Sequence, residues 1–98
     1  MNIEFKLATR LGTDLSSRHL GAELREEASR VFADGGIAVF NFDSVRSVSD
    51  SFADELLATL AEAHGDEWFR QHVRLTNLSK AVRTSILEAV ANRLTFSH

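Results

Sequence analysis

The 98-residue chain contains no cysteine and no proline. Lacking cysteine, it can form no disulfide, no thiolate metal site and no cysteine nucleophile, which fits a reducing compartment. Lacking proline, it has no proline-rich linker to divide it, and neither an internal repeat nor a low-complexity segment interrupts the pattern. One domain spanning residues 1–98 is expected. Long hydrophobic runs are missing as well: "MNIEFKLATR" has no apolar stretch of signal-peptide length, and nothing further on would span a bilayer. The expectation is a cytoplasmic protein with no membrane partner. Acidic and basic residues are interspersed, the net charge is −3, and no run of Lys or Arg could track a phosphate backbone, which argues against nucleic acid as a primary partner.

What is present describes an ordinary folded domain, with 44% hydrophobic and 26% charged residues. "IEFKLA" at 3–8 alternates Ile3, Phe5 and Leu7 against Glu4 and Lys6, the period of a strand with one wet face at or near a sheet edge. "TRLGTDLSSRH" reads as a turn that ends in Ser16 or Ser17 as a helix N-cap. Leu20, Leu24, Ala28, Val31 and Phe32 then recur at helical spacing from about Arg18 to Asp34, with Glu23, Arg25, Glu26, Glu27 and Arg30 on the other side, and Gly35–Gly36 stop the helix. "IAVFNF" at 37–42 is nearly unbroken apolar sequence, the pattern of a central strand covered on both faces.

In "VSDSFADELLATL", residues 48–60, a stripe of Phe52, Ala53, Leu56, Leu57 and Leu60 predicts a helix ending near His64–Gly65. "GDEWFRQH" reads as a helical turn that uses Trp68 and Phe69 to close the core, and "VRLTNL" at 73–78 reads as a strand. A final helix capped by Ser79 buries Val82, Ile86, Ala89, Val90 and Leu94. The order β, α, β, α, β, α implies an α/β fold with a mostly parallel sheet of three to four strands and about three helices. Leu20, Leu24, Phe32, Val39, Phe40, Phe42, Phe52, Leu56, Leu60, Leu75, Ile86 and Val90 are the expected core.

Candidate chemistry is sparse. Asp54 and Glu55 are neighbours and point about 100° apart on a helix, so they cannot act as a facing carboxylate pair. Acids in a first turn favour the helix dipole, and an outward arc of Asp54, Glu55, Thr59 and Glu62 with no Lys or Arg between residues 50 and 63 also suits docking to a basic partner. None of His19, His64, His72 and His98 is expected to hold a metal. No G-x-S-x-G elbow and no phosphate-binding glycine spacing occurs, so neither an enzyme nor a cofactor is expected. Arg10, Arg18 and Arg83 lie near element ends, where they could gather at one rim as an anion-binding site.

The run "VFNFDSVRSVSDSFADELLATL" resembles the STAS domains of bacterial anti-sigma factor antagonists, whose signature is an apolar strand, Asp-Leu/Phe-x-x-Val, and Asp-Ser-Ser-Gly opening a helix. It resembles more closely a STAS-like family of unknown function whose hallmark is Ser-Phe-Ala-Asp-Glu-Leu. "GTDLSSRHLGAELRE" and "EWFRQHVRLTNLSKAVRTSI" are similar to other parts of that family, so the resemblance covers nearly the whole chain. It implies a regulatory, non-catalytic protein-binding module acting by partner switching, with an ATP-binding anti-sigma-type or histidine-kinase-like protein as the partner. The docking surface would be Ser47, Ser49, Asp50, Asp54 and Glu55. The serine that a partner kinase phosphorylates in the antagonists falls on Ser51, with Ser49 in place of the aspartate, Asp50 of the first serine and Phe52 of the glycine. Ser51 followed three residues later by Asp54 also approximates a capping box, so Ser51 stands as either cap or modification site. Two other readings remain: a small-ligand or anion sensor at the arginine rim, and a homo-oligomer, a homodimer in its simplest form, with Trp68 and Phe69 at the interface.

Overall fold

The computed structural model describes residues 1–96. Strands β1 (Asn2–Lys6), β3 (Ile37–Asn41) and β5 (Val73–Thr76) form a parallel sheet in the order β1-β3-β5, with Glu4, Val39 and Arg74 level across it. The α/β class and the parallel pairing follow the sequence pattern, as do β1 at an edge and β3 at the centre. Phe5, Ala38, Phe40 and Val73 are buried on the inner face, where the Phe5 and Phe40 rings stack 5.4 Å apart.

The expectation that β3 is covered on both faces is wrong. Ile37 and Val39 are only half-buried and lie outside the core cluster, on a face they share with exposed Glu4, Lys6 and Arg74. An unbroken apolar run suits a doubly covered strand, yet alternate residues point to opposite faces whatever their type, and the core of this domain gathers on the inner one.

A short helix and a short strand pairing escaped the sequence. Leu7–Leu11 forms a helix, α1, instead of continuing the first strand, and Asp14–Leu15 (β2) pairs parallel with Ser47–Val48 (β4) in a separate two-stranded sheet. Strands of two residues have no periodicity of their own. Their structure comes from a partner more than thirty residues away.

Helix α2 (Arg18–Ala33) begins at Ser17, whose hydroxyl accepts from the Leu20 N–H at 3.2 Å. It ends at Gly35–Gly36; a Cβ on Gly36 would lie 2.8 Å from the Met1 carbonyl oxygen, so β1 can pair closely beside β3 only if residue 36 has no side chain. The next helix runs from residue 50 to 64 in three parts: α3 (Asp50–Ala53), a π-helical segment (Asp54–Ala58) and α4 (Thr59–His64). Then come α5 (Asp66–His72), the expected helical turn, and α6 (Lys80–Phe96), capped by the Ser79 hydroxyl accepting from the Val82 N–H at 3.1 Å. Five short strands and these segments exceed the expected element count because β2, β4 and α1 are too short to show in the pattern.

Of the expected core, Leu24, Phe40, Phe42, Phe52, Leu56, Leu60 and Ile86 are buried, and Leu20, Phe32, Leu75 and Val90 pack partly buried against them. Leu94 is exposed, contrary to expectation. Among the described residues no helix is long and apolar enough to cross a membrane.

Candidate functional site

The β2–β4 ribbon sets the starts of α2 and α3 side by side. The Ser49 N–H donates to the Leu15 carbonyl at 2.8 Å, and the Ser49 hydroxyl donates to the Ser16 carbonyl at 3.0 Å. The same Ser49 oxygen accepts from the Phe52 N–H at 3.1 Å, which makes Ser49 the N-cap of α3. Ser51 is therefore not the cap: it lies half-buried in the first turn, two residues further on. The capping-box spacing from Ser51 to Asp54 fails because the backbone has turned helical at Asp50, before that spacing can operate. Asp50 is exposed. Ser47 is exposed too, and its hydroxyl donates to Asp14 Oδ1 at 2.8 Å while Arg46 pairs with Asp14 Oδ2 at 2.7 Å. Arg46 and Ser47 together hold the Asp14 carboxyl below its ordinary range.

Asp54 and Glu55 do not form the expected outward acidic face. Only about a fifth of each side chain is exposed, 20% and 19%; Asp54 reaches both flanking helices, and Glu55 reaches α2. Arg93 of α6 grips Asp54 with two parallel bonds, Nε to Oδ1 at 2.7 Å and Nη2 to Oδ2 at 2.8 Å, and its Nη1 reaches Glu62 at 3.0 Å. On the other side Arg25 of α2 pairs with the Glu55 carboxylate. Arg18 bridges the two acids, at 3.0 Å from Asp54 and 3.4 Å from Glu55. The angle between neighbouring side chains that rules out a catalytic dyad is what lets the two carboxylates brace the central helix on both sides. Arg93, and then Arg18, hold the Asp54 carboxyl down at about 2, and Arg25 chiefly, then Arg18, lower Glu55.

The π-helical segment belongs to this brace. The Thr59 N–H donates to the Asp54 carbonyl five residues back. In an α-helix its acceptor would be the Glu55 carbonyl, which here takes the Thr59 hydroxyl at 2.7 Å and Arg25 Nη1 at 2.6 Å. Gly21 makes the approach possible: a Cβ there would sit 3.0 Å from the Phe52 carbonyl oxygen and 3.4 Å from the Glu55 Cβ. Arg18, Gly21 and Arg25 lie at i, i+3 and i+7, on one face of α2.

The proposed arginine rim is not assembled. Arg10 pairs with Glu27 at 2.6 Å and lies over the Phe5 ring, whereas Arg18 sits nine residues before Glu27 on α2, about 13 Å along the axis at 1.5 Å per residue. Arg83 is exposed in the first turn of α6. A separate open cleft of about 420 Å³ lies past the C-terminal ends of β1 and β3, lined by Lys6, Ala8, Thr9, Asn41, Asp43 and Ser44. His19 has an acid four residues on, Glu23, which the sequence reading passed over; the two pair at 2.9 Å. His64 and His72 flank Trp68, with ring centroids 4.0 and 4.8 Å away, and Trp68 also meets the edge of Phe32 at 5.0 Å. Trp68 and Phe69 are half-buried. Among the described residues no group of three or more His, Asp or Glu could hold a metal, and His98 lies outside the described residues.

The arginines Arg25 and Arg93 are the partners of Glu55 and Asp54 that sequence reasoning missed, and both left a signal. Arg25 falls opposite the apolar stripe of α2, yet it shares a face with Gly21. Arg93 continues the spacing Val82, Ile86, Ala89 by four, so the inward stripe of α6 ends on Arg93 and not on Leu94.

The model of the STAS-like domain family of unknown function (DUF4325) matches residues 21–83, more than half of the chain, and the protein belongs to that family. Comparison with curated proteins and with solved structures gave no match.

Proposed function

From membership in the STAS-like family and the geometry at the start of α3, we propose that this domain is a non-catalytic regulatory module that binds another protein and acts by partner switching, as anti-sigma factor antagonists do. The observation that carries this reading is the construction of the α3 start. Ser47, Asp50 and Ser51 stand at or near the surface on a segment tied to β2 through Asp14 and to both flanking helices through Asp54 and Glu55. A surface ordered before binding loses little conformational entropy when a partner arrives. Asp54 and Glu55 act indirectly, holding the platform, and direct contacts fall to Ser47, Asp50 and Ser51. A phosphate on Ser51 would meet the favourable dipole of the helix start and the adverse charge of Asp50 and Asp54.

The partner of choice is an ATP-binding protein of the anti-sigma or histidine-kinase-like class encoded beside this gene. Titration calorimetry tests the reading: wild type and Ser51→Ala should bind, and Ser51→Asp and Asp50→Arg should bind at least about tenfold more weakly, a change of about 1.4 kcal/mol. Equal affinity of all four would remove the α3 start as the docking surface.

A small-ligand sensor is a second reading, favoured by the cleft past the ends of β1 and β3, since open parallel sheets bind ligands beyond their C-terminal strand ends. A thermal-shift screen of small anions and zwitterions should then raise the melting temperature of wild type and not of Lys6→Ala. No shift with any compound would dismiss it.

A further inference from the structure

The outer face of the β1-β3-β5 sheet has a charge order that matches a second copy of itself. Glu4, Val39 and Arg74 are register partners across the three strands, so one row reads acid, apolar, base from edge to edge. Glu4 and Arg74 are exposed and Val39 half-buried, and the Asn41 amide reaches Glu4 Oε2 at 3.2 Å, which places Glu4 and Asn41 on the same face. Ile37, two residues before Val39, extends the apolar centre along β3, and neither residue joins the core cluster.

We propose that this face mediates a symmetric, weak homodimer in which two sheets pack face to face about a two-fold axis parallel to the strands. Such an axis exchanges the sheet edges and leaves position along the strand unchanged. Glu4 of one copy then lies over Arg74 of the other, Arg74 over Glu4, and Val39 over Val39. The self-complementarity follows from register alone, because the acid and the base are level and equally far from the central residue. Facing sheets pack about 10 Å apart and within about 30° of parallel, a gap that one Glu and one Arg side chain span together. With three strands about 4.8 Å apart and about five residues long, the face covers a few hundred Å² per copy, well below the roughly 800 Å² of a stable interface. An interface of that size falls in the weak, transient class. The proposal does not rest on the partner-binding reading, which uses the start of α3.

Sedimentation velocity on the whole chain, over a dilution series from about 10 µM to about 1 mM at low salt, where exposed ion pairs are least screened, tests it. Wild type should move from one chain to two as concentration rises. Glu4→Lys and Arg74→Glu should each remain monomeric, since each places like charges opposite one another. An equimolar mixture of the two variants should dimerise again, as should the double swap in one chain, because Lys at residue 4 then meets Glu at residue 74. Both positions are exposed, and circular dichroism would verify that each variant is folded. A wild type that stays monomeric at 1 mM, a dimer indifferent to either reversal, or a mixture that fails to recover would each overturn the proposal.

Discussion

Asp50 and Asp54 stand one turn apart in the same helix and do different work. Asp50 is exposed at the first position after the Ser49 cap, where a carboxylate gains the modest favour of the helix dipole. Asp54 is four-fifths buried, with both carboxylate oxygens held by one edge of the Arg93 guanidinium and one of them also touched by Arg18. One helix thus presents an open end, available to a partner, and a closed middle that joins α2 to α6. A short acidic stretch in a sequence does not indicate which of its members face water. The faces of the neighbouring helices decide that.

Replacing each acid by its amide should separate the two regions most strongly. Asp54→Asn takes from Arg93 and Arg18 the carboxylate they share, leaving Arg93 with Glu62 and Arg18 with Glu55, and removing one member of a largely buried network should cost about 2–3 kcal/mol in urea unfolding at neutral pH. Asp50→Asn should lie at the other end of the scale, at about 0.5 kcal/mol or less.

Acid should dissolve the same distinction. The folded pKa of Asp54, about 2, is below its ordinary 3.8, so its contribution is fully present above pH 3.8 and is lost as pH falls through 2. The shift corresponds to about 2 kcal/mol. Glu55 is lowered in the same sense and adds to the loss. Stability measured by thermal unfolding across this window should fall more steeply for wild type than for Asp54→Asn, and the two curves should converge near pH 2.

A smaller effect divides the serines of the open end. Ser49→Ala removes the cap and the bond to the Ser16 carbonyl and should cost about 1 kcal/mol. Ser51→Ala should change chemical unfolding by less than about 0.5 kcal/mol, as expected away from a cap or core contact.

Much of this arrangement was legible in the sequence. The alternation in β1, the position of β3 at the centre of the sheet and the helical stripes of α2 and the central helix were legible because each segment repeats its burial pattern or is bounded by turn residues. The β2–β4 ribbon was not legible, because two residues carry no period and the pairing is made by distant chain. The π-helical segment was hidden for a related reason: residues 50–64 have an ordinary helical pattern, and the Glu55 carbonyl that the Thr59 N–H leaves is taken in part by Arg25 of another helix. The ion-pair brace was partly legible. Arg93 on the Val82–Ile86–Ala89 line and Arg25 on the Gly21 face both break an apolar or small-residue stripe with a cation, and an acid opposite was the natural partner to seek.

The claim that Asp54 braces two helices is tested most directly by a double-mutant cycle with Arg93. Chemical unfolding of wild type, Asp54→Asn, Arg93→Met and the double variant gives their coupling free energy. A coupling of about 1–3 kcal/mol is predicted, with the double variant barely less stable than the worse single one. Losses that add to within about 0.3–0.5 kcal/mol would mean that the two side chains act independently, and the brace would be contradicted.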